Sequence, residues 1–150
     1  MFSELNWIAK REKGIAQPLV VFENIDAGGY YYNPEKGEIL LNEKYYPLDK
    51  GLIVVDVSAP EEIVNTISHE WRHHIQFING IEMEVIEWDN DIDNYEQNII
   101  DYFTRSWTEM DALLYSNKYA PTECTLTWQQ WIFKNNNRFI KYARQMGINY

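Results

Sequence analysis

Residues 65–80 read NTISHEWRHHIQFING and contain every histidine of the chain, His69, His73 and His74, with Glu70 directly after the first. On a helix, at 100° per residue, His73 lies about 40° from His69, Glu70 about 100° and His74 about 140°. Two imidazoles one turn apart can each offer a neutral nitrogen to one Zn²⁺ at about 2.0–2.1 Å, fixing two of its tetrahedral positions. Glu70 is then directed beside the metal rather than at it. There a carboxylate can take a proton from metal-activated water and deliver it to a leaving amine. His69-Glu70-Trp71-Arg72-His73 is therefore the H-E-x-x-H pattern in the helical setting its chemistry needs. His74, at i+5 from His69, is off the ligand face; it reads first as a boundary histidine packing toward the core, and second as an outer-shell or substrate-facing residue.

A catalytic zinc keeps one position open for water and so needs a third protein ligand. No histidine remains, and "FINGIEMEV" carries no further His after the motif, which leaves an Asp or Glu from another element. In "DYFTRSWTEMDALLYSNKY", drawn as one helix, Glu109 falls on the edge of a stripe formed by Ile99, Tyr102, Phe103, Met110, Leu113 and Leu114. Asp101 and Asp111 point away from it. A carboxylate beside a buried stripe needs a partner, and a metal would serve; the plain alternative is an i,i+4 pair with Arg105. Glu96 also lies on the apolar side, but near a helix start, where the helix dipole accounts for it. Glu109 is the favoured third ligand. Tyrosines are the expected oxyanion donors, with Tyr102 and Tyr115 on the glutamate helix foremost and the "YYY" at 30–32 as an alternative.

The elements that must position these groups are legible from pattern. "FSELNWIAKREKG", with Ser3 at the N-cap and Gly14 at the stop, predicts a helix over 4–13. "PLVVFE", "GGYYYNP", "GEILLNEKYY" and "GLIVVDVS" predict three or four short strands. From Pro60 the period becomes helical. Ser58 is the candidate cap of the H-E-x-x-H helix, which ends at Asn79-Gly80; a second helix is expected from about Asp93 to Lys118. A third runs from Thr127 to Met146, opened by Thr127-x-x-Gln130 as a capping box. The class is α+β with segregated elements in a single domain spanning 1–150.

A chain of 150 residues, 45% hydrophobic, can bury its own core without a staple. Its net charge of −10 argues against nucleic acid as a partner, since phosphate contacts need clustered Lys and Arg. The single cysteine, Cys124, and the absence of an apolar leader or spanning run lead to the expectation of a cytoplasmic protein that does not enter the membrane. Its oligomeric state is not legible.

"GGYYYNPEKGEILLNEKYY", "GLIVVDVS", "HEWRHH" and "SWTEMDALLY", within residues 28–118, together resemble a small gluzincin-type zinc metallopeptidase, of the minigluzincin kind related to ImmA/IrrE-like peptidases. The resemblance implies a zincin-like fold with one zinc ion held by His69, His73 and Glu109, Glu70 as base, and Glu109-Met110-Asp111-Ala112 as the glutamate-helix motif. It also implies a peptide or protein substrate bound as an extended strand on a sheet edge, for which "GLIVVDVS" or "EILLN" is the candidate. Leu113 stands where larger gluzincins often carry an Asp that orients a histidine; Asp111, Asn117 or a backbone carbonyl would substitute. Two rival readings share the zinc: a hydrolase of a non-peptide amide, and a non-catalytic, zinc-stabilised protein interaction module.

Overall fold

The computed structural model describes residues 6–25, 27–82, 94–134, 136–145 and 147. The architecture is α+β. Helix α1 (Asn6–Arg11) leads into β1 (Leu19–Glu23), β2 (Gly29–Tyr32), β3 (Glu38–Leu41), β4 (Lys44–Pro47) and β5 (Leu52–Asp56), followed by helices only. The expected cap Ser3 and the first residues of that leading helix lie outside the described residues.

Strand β5 is the centre of a three-stranded sheet ordered β1-β5-β2, parallel to β1 with Leu19 opposite Leu52, and antiparallel to β2 with Tyr32 opposite Leu52. Its continuous apolar run follows from burial on both faces. Ile53 and Val55 pack on one side against Ile67, Trp71 and Ile75; Leu52 and Val54 pack on the other with Leu48, Ile39, Leu41 and Tyr46. The second group includes the β3-β4 hairpin, a separate two-stranded sheet. "GEILLNEKYY", one stretch in the sequence reading, splits there because Asn42 and Glu43 adopt left-handed φ values of 48° and 68°, the conformation of a two-residue hairpin turn. Five strands thus replace the expected three or four.

After a short 3-10 turn at Pro60–Glu62, helix α2 spans Ile63–Ile78 and ends at Asn79-Gly80 as expected. Ser58 does not cap it: its hydroxyl donates to Asp56 instead. The helix expected to span 93–118 is two helices, α3 (Tyr95–Arg105) and α4 (Trp107–Tyr119). The break is Ser106, with φ −132° and ψ 114°, whose hydroxyl accepts from the Glu109 amide. Serine there satisfies an end amide better than it supports a helix interior. Likewise the helix expected over 127–146 is α5 (Glu123–Phe133) and α6 (Asn137–Gln145), and the capping box is Thr122 with Thr125 rather than Thr127 with Gln130. Asp93 and Met146 fall outside the described residues.

Helices α3 to α6 share their own core of Ile99, Phe103, Met110, Leu113, Leu114, Ile132 and Phe139. Tyr115 of α4 joins the α2 and β5 cluster. Burying each large apolar side chain contributes about 1.5–3 kcal/mol, so these two clusters hold α4 firmly against α2. No helix among the described residues is long and apolar enough to cross a membrane.

Candidate metal centre

The stripe of Ile67, Trp71 and Ile75 anchors α2 on the sheet, which rotates His69 and His73 toward α4. On α4, the Ser106 cap sets Glu109 as the third residue of the helix, with its amide 3.3 Å from Ser106 Oγ. The two helices meet at one carboxylate: His69 Nε2 lies 3.0 Å from Glu109 Oε2, and His73 Nε2 lies 3.1 Å from Glu109 Oε1. Donor atoms of His69, His73 and Glu109 all fall within 4.8 Å of one another, a group that could hold a metal ion. The expected i,i+4 alternative gives way to this convergence from a second helix.

Charge is concentrated here. Burial pushes the Glu109 carboxyl up, but its bonds to both imidazoles outweigh that and hold it well below the usual carboxylate range. Burial alone would lower His73; the Glu109 carboxylate beside it raises it to about 9. The Glu70 carboxyl, 8% exposed, is pushed up by burial against the opposing pull of His69 and His73. Two imidazole nitrogens and one carboxylate fit a zinc-like ion: they make three ligands, leave one tetrahedral position open, and share a negative charge that a divalent cation would neutralise.

Strand β2 closes over this part of α2. Gly29 sits so near that an added Cβ would meet Thr66 Cγ2 at 2.6 Å and Glu70 Cγ at 3.3 Å. Only glycine allows that approach.

The remaining candidates separate. Tyr102, from α3, donates its hydroxyl to Glu109, and burial with the nearby Glu109 and Glu70 charges raises it above the usual tyrosine range. Tyr115 is not in the group; its hydroxyl donates to Glu12 at 2.8 Å and its ring lies under the Arg72 guanidinium. His74 is 1% exposed and turned to the other side of α2, where it bonds Tyr31 at 2.6 Å and the Ala16 carbonyl at 2.8 Å. The boundary reading of His74 therefore describes its packing, and no contact ties it to the metal group.

Asp111 does not point away. It is 7% exposed and accepts from Arg72 Nε at 2.6 Å, Arg72 Nη2 at 3.0 Å, Gln76 Nε2 at 2.8 Å and Tyr142 at 2.6 Å. The wheel misjudged it because α4 is buried on almost every side, Thr108 and Met110 to Asn117 included, so a residue off the apolar stripe still faces protein rather than solvent. Arg72 and Gln76 were not singled out in the sequence, although Gln76 stands three residues after His73, on the same helical side. A cavity of about 220 Å³ opens beside Arg72, Gln76, Trp107, Asp111 and Tyr142, and none of His69, His73 and Glu109 lines it. No protein-family model, curated protein or solved structure matches this chain.

Proposed function

We propose that the chain is a zinc-dependent hydrolase of peptide bonds, of the gluzincin type. The observation that carries this reading is the convergence of His69 and His73 with Glu109, beside the desolvated Glu70. When bound, zinc lowers the pKa of water toward about 7 and polarises a carbonyl. Glu70 supplies the proton transfer: burial raises its pKa, which suits a carboxylate that must accept a proton and release it again. Tyr102 keeps its proton at working pH; its single O–H, given to Glu109 here, would serve charge developing on the carbonyl oxygen only after turning from that carboxylate.

Substrate pairs as an extended strand with β2. This edge replaces both earlier candidates: β5 is central in its sheet, and "EILLN" belongs to the separate hairpin. Strand β2 is an outer strand and lies against Glu70 through Gly29, which supports main-chain recognition beside the base. A single exposed cysteine, Cys124, supports a reducing compartment such as the cytoplasm.

Bound-metal analysis together with cleavage of a peptide library tests this. Wild type should carry one zinc and cleave, and Glu70→Gln should keep the zinc while losing about 10²–10⁴-fold in turnover. Unchanged turnover removes Glu70 as base, and protein without stoichiometric zinc removes the centre. Zinc retained with a non-peptide amide cleaved, or with no hydrolysis at all, shifts the reading to the respective rival.

A further inference from the structure

Resting on the metal-centre reading, we infer that Gln76 is a positioning residue that sets the tautomer of His73 and so holds its Nε2 ready to ligate. The Gln76 amide nitrogen sits 2.9 Å from the Thr108 carbonyl and 2.8 Å from Asp111 Oδ2. Both are acceptors, so they engage the two amide protons and leave no freedom to flip the group. The opposite end, Oε1, is then an acceptor, and it faces His73 Nδ1 at 2.8 Å. Nδ1 must therefore carry a hydrogen. Here Nε2 donates a hydrogen of its own to the Glu109 carboxylate. A neutral imidazole keeps only one N–H, so with Nδ1–H held by Gln76 the proton that metal binding would displace is the one on Nε2, and the lone pair opens there.

The anchor behind Gln76 is as constrained as Gln76 itself. Asp111 receives both Arg72 bonds and the Tyr142 hydroxyl in addition to the Gln76 amide, so an acceptor is held in place by three other donors. The order runs from Arg72 and Tyr142 to Asp111, to Gln76, to His73. Donor and acceptor alternate along it without a mismatch. Thr108 and Asp111 flank Glu109 on α4, so the helix that supplies the third ligand also orients the second. This arrangement does the work that an Asp at the position of Leu113 would otherwise do.

The test uses the full chain, with Zn²⁺ alone as probe. Zinc affinity is measured by competition with a chromophoric chelator for wild type, Gln76→Met and Glu70→Gln, with folding checked by circular dichroism. Imidazole nitrogen NMR of zinc-loaded wild type reports the tautomer directly. The expected results are Nδ1–H with Nε2 ligated for His73, and an affinity about 10- to 100-fold lower in folded Gln76→Met, with Glu70→Gln near wild type. Equal affinity in folded Gln76→Met, or His73 ligating through Nδ1, overturns the role of Gln76 while leaving the metal centre standing. Wild type that fails to compete for zinc overturns the metal centre itself. Should Gln76→Met not fold, the wild-type spectrum still decides.

Discussion

His73 and His74 are neighbours in sequence and nearly equal in burial, at 4% and 1% exposure, but their surroundings ask opposite things of them. His73 faces a carboxylate that favours a positive charge on that side, and its ordinary value of 6.5 rises to about 9. His74 faces a tyrosine and a backbone carbonyl; burial lowers it, and the Ala16 carbonyl opposes this only in part. The carbonyl takes a proton from Nε2, so Nδ1 is the acceptor for the Tyr31 hydroxyl. About 100° of helix rotation thus separates an imidazole that faces Glu109 from one that fastens α2 to β2 and to the segment before β1. Burial by itself does not tell a candidate ligand from a structural residue; the partners do.

Substitutions at the two positions should fail in different ways. His73→Ala has the largest expected effect, because one of three ligands goes: with total zinc binding of about 10–16 kcal/mol, the loss is about 3–5 kcal/mol, or roughly 10²–10⁴-fold in affinity by chelator competition. His74→Ala should keep stoichiometric zinc in the folded fraction. It should instead destabilise the fold by about 2–4 kcal/mol in urea unfolding, through a cavity and two orphaned hydrogen-bond partners. Zinc loss in folded His74→Ala would erase the distinction.

The pH dependence of chelator-treated protein sharpens the contrast. His73 has a raised folded pKa, so its contribution is complete below 6.5 and is lost as pH climbs through about 9. His74 has a lowered folded pKa, so its contribution is complete above 6.5 and is lost on acidification below that value. Urea midpoints across pH should flatten on the alkaline side for His73→Gln and on the acid side for His74→Gln. The smallest effect is Tyr31→Phe, about 1 kcal/mol, from the lost hydroxyl donor to His74, with zinc affinity unchanged.

Much of the centre was legible because its parts repeat at the helical period: His69, Glu70 and His73 follow from spacing alone. Glu109 followed from the need of a half-buried carboxylate for a partner, even though the wheel that located it crossed a helix break. That break had a signal, since Ser106-x-x-Glu109 is a capping-box pattern ahead of an apolar run. Asp111 was misjudged for a different reason: α4 is enclosed on nearly all sides, so position off the apolar stripe does not mean exposure there. Gln76 and Arg72 carried no signal of their own, because their roles exist only once α4 is laid against α2. The hairpin turn was hidden by Glu43, a residue that rarely adopts the left-handed conformation found there.

The order of the sheet also bears on how the molecule is made. Strand β5 lies between β1 and β2, and both precede it in the chain, so neither finds its partner until residues 52–56 have left the ribosome. Until then their backbone edges are open to any other extended chain, and the parallel closure of β1 onto β5 carries the entropy of a long loop. Sheet assembly is thereby delayed to the moment at which α2 begins to follow β5 out. The histidine helix is the next element available to cover the new sheet, which makes strand pairing and construction of the site nearly one event in synthesis.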